Sequence, residues 1–224
     1  MTQGLAASIH DRLLNRARAH GENFNLLLDR YALERLLYRL SISEARDQYW
    51  LKGALLFHLW FDAPHRPTRD IDLLGFGPAD AALLTDTIRG ICAIQLEDAL
   101  QYDAASVRTD EIREQARYDG LRVRLRATLG TARITVQLDV GYGDAVTPGP
   151  EEIVYPSLLP EQPSPRLRAY PRASVVAEKL EAMVSLGMMN SRLKDYFNVL
   201  ALAREGRLSS IEINDAVSAT FERR

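Results

Sequence analysis

The sequence predicts a mixed α/β (α+β) chain, with helices first, a central mixed sheet next and a helical lobe last. Three observations carry this reading. Leucines recur at helical spacing up to residue 40. Apolar and polar residues alternate strictly through residues 121–129 and 134–140. Helical periodicity then returns from residue 172 onward.

Residues 5–20 read as an amphipathic helix stopped at Gly21, and residues 26–40 as a second helix burying Leu26, Leu33, Leu36, Leu37 and Leu40. Residues 49–51 read as a short strand. Gly53 then opens a helix over residues 54–60. A polar loop, APHRPTRD, leads into a strand over residues 71–74 that Gly75, Gly77 and Pro78 end. Residues 79–100 read as one long helix and residues 106–109 as a brief strand. Two alternating runs joined at Gly130-Thr131 read as an antiparallel hairpin. Residues 141–171 hold most of the prolines and read as a connector with few regular elements. Helices are expected over residues 172–189, with Val176, Leu180, Met183 and Val184 in the core, and over residues 191–202 and 210–221. The domain division is then 1–145 for N-terminal helices and core, 146–171 for a proline/glycine-rich connector, and 172–224 for a C-terminal helical lobe.

Composition narrows the function. The chain has 224 residues, 46% of them hydrophobic and 26% charged, the make-up of a globular protein with a sizeable core. A formal charge of -2 argues against a generic basic nucleic-acid coat, but leaves room for a local basic groove. Lys52, Lys179 and Lys194 are the only lysines among 28 basic residues. The lone Cys92 cannot form an internal disulfide and reads as core packing, which fits a reducing cytoplasm. No apolar stretch reaches membrane-spanning length and no signal peptide is visible, so no membrane association is expected. The histidines at 10, 20, 58 and 65 have no metal-ligand spacing, and His58 reads as a half-buried helix residue.

The chemistry concentrates in Asp70-Ile71-Asp72. At strand spacing both carboxylates point to one side and Ile71 to the other. Close carboxylates repel, and a divalent cation relieves that repulsion with hard oxygen ligands. Asp139 shares the polar face of its own strand with Thr135 and Gln137. If that strand lies beside the first, Asp70, Asp72 and Asp139 converge as a metal site suited to phosphoryl or nucleotidyl transfer. An isolated DxD is equally an ordinary strand end. The order of features is what raises the joint case: glycine-helix, polar loop, DxD strand, hairpin strand with aspartate. Gly53 offers its surroundings to phosphate oxygens, whereas the neighbouring Lys52 reads as pointing away. Lys179, Arg192 and Lys194 are candidate phosphate contacts, and Asp195 is a candidate to orient either a lysine or the incoming substrate. Each has the alternative of a solvated helix surface. Arg122, Arg124 and Arg126 form a basic stripe that either steers phosphates or is simply a solvated strand face. Tyr118, Tyr142 and Tyr155 are too scattered for a stacking platform.

The stretch LKGALLFHLWFDAPHRPTRDIDLL resembles the first motif of the AbiEii/AbiGii toxin family, nucleotidyltransferase-like proteins of abortive-infection and type IV toxin–antitoxin systems related to the MenT toxins. ITVQLDVG resembles the second motif, and VVAEKLEAMVSLGMMNSRLKDYFNVL the third and fourth. The resemblance implies a polymerase-beta-like nucleotidyltransferase core with a mixed sheet, N-terminal helices and a helical C-terminal lobe. It implies that Asp70 and Asp72 bind Mg2+, that Asp139 is the third carboxylate, that Lys179 binds the triphosphate and that Asp195 is essential. Glu178 and Lys194 also match motif positions. The implied activity is transfer of a nucleotide from a nucleoside triphosphate to an acceptor, in some members the 3′ end of tRNA, with a separate cognate antitoxin protein. Transfer to a protein or small molecule, and a degenerate domain that only binds nucleotide or a partner, are the alternatives. Four positions depart from the pattern. Ala54 stands where the family has a second glycine, and it still allows close packing. Leu55 replaces a small hydroxyl residue. Thr68 stands for a serine, keeping a hydroxyl for nucleotide contact or phosphorylation. Asn198 replaces the last acidic residue.

Overall fold

The computed structural model describes residues 2–61, 68–112, 120–187 and 193–223. Part of the polar loop before Thr68, together with His65, Tyr118 and Arg192, lies outside them. The chain forms two compact units, Met1–Tyr142 with Ile153–Leu167, and Gly143–Glu152 with Arg168–Arg224.

The first unit begins with α1 (Thr2–His20) and α2 (Phe24–Ser41). Asn23 caps α2, its side chain accepting from the backbone N–H of Asn25 and Leu26, so the helix starts earlier than the leucine periodicity indicates. Leu33, Leu36, Leu37 and Leu40 are buried as expected, whereas Leu26 is only half-buried. Next come β1 (Tyr49–Lys52), a 3-10 turn over Gly53–Leu56 and α3 (Phe57–Trp60), then β2 (Asp70–Gly75). The helix expected after Gly53 thus begins as a 3-10 turn and passes into a single turn of α-helix.

α4 (Ala81–Ala93) is capped by Asp80 and is shorter than expected. The chain leaves the helix at Ile94, and Asp98 goes into a buried ion cluster rather than onto a solvated helix face. The brief strand expected at 106–109 is one part of the long β3 (Leu100–Glu111). A register irregularity between Asp103 and Arg108 breaks its alternation, which hides the strand from a period-two search. β4 (Gly120–Leu129) and β5 (Ala132–Tyr142) form the expected antiparallel hairpin. Gly130 at the turn has φ +58, a conformation glycine adopts without Cβ strain.

The segment read as a connector contributes β6 (Glu151–Val154) and β7 (Arg166–Ala169). These strands are short, and prolines flank them, which is why the sequence conceals them. The seven-stranded sheet has the order β3-β4-β5-β2-β1-β7-β6. β2 runs parallel to β5 and antiparallel to β1, so the sheet is mixed.

The second unit contains α5 (Arg172–Leu186), α6 (Leu193–Glu205) and α7 (Ser210–Arg223). Ala173, Ala177 and Ala216 form a small buried cluster with Val217 packed on it. The buried residues of α5 are therefore Ala173–Ala177. Val176 is among them, Leu180 and Met183 are half-buried, and Val184 is 66% exposed instead of lying in the core. Small alanines let α7 approach the first turns of α5 closely, which moves the buried stretch toward the N-terminus of that helix.

Candidate active site

Strand register decides which charges meet. β2 pairs with β5 so that Asp70 lies opposite Gln137 and Asp72 opposite Asp139. The flanking Ile71, Leu73, Leu138 and Val140 are buried, so the aspartates share the other face of the sheet. Asp70, Asp72 and Asp139 each offer a carboxylate oxygen within 4.8 Å of the others, and each residue is half-buried. The convergence expected from sequence is present.

Gly53 belongs to this site for a steric reason. Its φ is +74, and a Cβ built there would lie 2.0 Å from Oδ2 of Asp72. The carboxylate of Asp72 occupies the space that any side chain at this position would need. The turn at Gly53–Leu56 spans only four residues, so it presents no helix N-terminus for phosphate.

Lys52 and Arg122 take roles that the sequence alone does not indicate. Lys52 lies directly opposite Asp72 in the β1–β2 ladder, and directly opposed residues project from the same face. The expectation that Lys52 points away is thereby corrected. The register that reverses it is a long-range property of the sheet. Arg122 lies opposite Asp139 and forks onto it, Nε donating to Oδ1 at 2.8 Å and Nη2 to Oδ2 at 2.6 Å. Arg124 donates to Asp110 and Gln137, and Arg126 to Asp103. The arginine stripe is thus matched with carboxylates across the strands and is not an open cationic track.

Thr68 is only 6% exposed, which limits access to its hydroxyl. His58 is pushed down to about 3 by burial and then by Arg30, so it is neutral at physiological pH, as a half-buried helix residue should be. Burial pushes the Cys92 thiol up to about 11, in line with core packing. In the second unit, Nζ of Lys179 donates to Oδ1 of Asp195 at 3.0 Å. Asp195 is buried and Lys194 is exposed. The pairing expected of Asp195 with a lysine is therefore present with Lys179.

The three carboxylates offer only hard oxygen donors, and their spacing lets those donors meet at one point. The residues therefore fit a divalent cation of the magnesium type. The model of a family described as nucleotidyl transferase AbiEii toxin, type IV toxin–antitoxin system, matches residues 35–224. The chain belongs to this family. AbiEii proteins are nucleotidyltransferases and toxins of a type IV toxin–antitoxin system, which implies a nucleotide substrate and an antitoxin. Solved structures agree at the level of fold. JHP933 from Helicobacter pylori superimposes with a TM-score of 0.53 at 14% identity, covering 88% of this chain and 79% of that one. A second H. pylori protein, described as a nucleotidyltransferase, gives 0.52 at 15% identity, covering 80% and 68%. No curated protein matches. Among the described residues, no helix is long and apolar enough to cross a membrane.

Proposed function

We propose that this AbiEii protein is a Mg2+-dependent nucleotidyltransferase. It transfers a nucleotide from a nucleoside triphosphate to the 3′ end of tRNA in the cytoplasm and acts as the toxin opposed by a cognate antitoxin. The observation that carries this reading is the convergence of Asp70, Asp72 and Asp139 on one sheet face. Asp70 and Asp72 would hold the cation with the triphosphate, and Asp139 would complete the ligand set. Bound there, the metal supplies charge neutralisation for the leaving pyrophosphate and acidifies the attacking hydroxyl.

In the transfer, the acceptor oxygen forms a bond to the α-phosphorus while the bond to pyrophosphate breaks. An Oδ of Asp139 is suited to take the hydroxyl proton. Gly53 keeps its neighbourhood open for the Asp72 carboxylate and for nucleotide. Lys179 is assigned to triphosphate binding, with Asp195 orienting its ammonium. Arg192 and Lys194 are assigned to nucleotide contacts.

The test is incubation of the full chain with total RNA, each labelled nucleoside triphosphate and Mg2+. Label should appear at tRNA 3′ ends and vanish in Asp70→Ala. Label on a protein or a metabolite instead would replace the acceptor. Nucleotide or partner binding without any transfer would mean a degenerate domain. Lys179→Met should raise KM for the triphosphate more than it lowers kcat.

A further inference from the structure

Four charged residues form one lateral row across four adjacent strands. Lys52 on β1 lies opposite Asp72 on β2, Asp72 opposite Asp139 on β5, and Asp139 opposite Arg122 on β4. Residues paired in this way project from the same face. The row therefore runs cation, anion, anion, cation, with the carboxylates inside.

Arg122 differs from the other two arginines of its strand. Its guanidinium takes both oxygens of Asp139, at 2.8 and 2.6 Å, and the two side chains are 29% and 17% exposed. Arg124 and Arg126 each reach a single carboxylate oxygen, at 3.3 and 3.0 Å, from far more exposed positions. A planar fork on both oxygens fixes the carboxylate's orientation as well as its charge.

We propose that Arg122 is a positioning residue that orients Asp139 while the site is empty and competes with the divalent cation for it. This inference rests on the reading of Asp70, Asp72 and Asp139 as a cation site. A carboxylate has about four lone-pair directions, so Asp139 can accept the fork and still turn one lone pair toward a cation. The guanidinium then does two opposing things. Without metal it offsets the repulsion among the three carboxylates. With metal it places a fixed positive charge beside the ion and weakens its binding. A residue with a purely structural role would have the opposite sign, because losing it would disorder Asp139 and weaken the metal.

The experiment is calorimetric titration of Mn2+ into the full chain, without nucleotide, for the wild type, Arg122→Gln, Arg122→Lys and Asp72→Asn. Arg122→Gln should bind Mn2+ on the order of tenfold tighter, as expected for removing a unit charge a few ångströms away. Arg122→Lys keeps the charge but loses the fork, and should fall between Gln and wild type. In thermal melts, Arg122→Gln should unfold earlier than wild type without metal and gain more from Mn2+. If Arg122→Gln does not fold even with Mn2+, the lysine variant decides on its own, since it must still bind tighter than wild type. Equal or weaker binding in the Arg122 variants, with Asp72→Asn abolishing the wild-type signal, overturns the role of Arg122 and leaves the cation site standing. Equal binding by wild type and Asp72→Asn, or no binding by any variant, removes the site and this inference together.

Discussion

The first unit contains two clusters of the same residue types with opposite designs. One lies on α2, where Glu34, Arg35 and Arg39 are all but inaccessible together with Asp98. Arg39 forks onto Asp98 at 2.6 and 3.0 Å and also donates to the carbonyl of Ile94. Arg35 reaches Asp98 and the carbonyl of Pro163. Glu34 accepts from the Ser157 hydroxyl and the Leu158 N–H, both at 2.7 Å. Two cations match two anions, and the surrounding backbone takes up further hydrogen-bonding positions. The other cluster is the half-buried row on the sheet, where three carboxylates converge. Breaking a fully paired buried cluster leaves an uncompensated charge in the core, whereas the accessible convergence of like charges leaves room for a cation to relieve it.

The largest contrast should come from breaking the closed cluster. Asp98→Ala leaves Arg39 and Arg35 buried without their shared carboxylate and should cost about 3–5 kcal/mol, read as a lower urea midpoint. A paired replacement, Asp98→Leu with Arg39→Met, should cost much less, because no unpaired charge remains. On the open cluster, Gly53→Ala forces a Cβ into the space of the Asp72 carboxylate at a residue with positive φ. Transfer should fall by about 100-fold or more, a displacement effect, with a smaller loss of stability.

A smaller effect should appear with pH. Burial holds the folded-state value of His58 near 3, below its ordinary 6.5, so the unfolded chain takes up a proton first. Stability is full above 6.5 and declines as pH falls from there toward 3. The contribution should be no more than about 2 kcal/mol at pH 5 and should disappear in His58→Gln, measured by urea unfolding across pH. Least of all, Arg126→Gln removes an exposed pair with Asp103 and should change stability by about 0.5 kcal/mol or less. Its transfer rate should match wild type, because Arg126 lies outside the charged row.

Much of this contrast could be read from sequence on one side only. The DxD alternation and the strict hairpin periodicity place Asp70, Asp72 and Asp139 because strand direction is a local property. Lys52 and Arg122 are different. Their roles depend on which residues stand opposite them in neighbouring strands, and register is set by the whole sheet. The closed cluster was hidden for a related reason. Glu34, Arg35 and Arg39 sit among leucines of α2, and their burial makes sense only once Asp98 arrives from far along the chain. That arrival is also why the helix expected over 79–100 stops at Ala93. β3 was foreshortened by its own irregularity, and β6 and β7 were obscured by the prolines around them.

The division of labour between the two clusters comes down to one side-by-side comparison. Asp72→Asn and wild type should be assayed for Mg2+-dependent incorporation of labelled nucleotide into total RNA, alongside their thermal unfolding midpoints. We expect incorporation to vanish in the variant while its midpoint stays close to that of wild type, since the attraction lost to Lys52 is offset by the repulsion removed from Asp70 and Asp139. Wild-type incorporation by Asp72→Asn, with the fold equally intact, would contradict the assignment of nucleotidyl transfer to this carboxylate row.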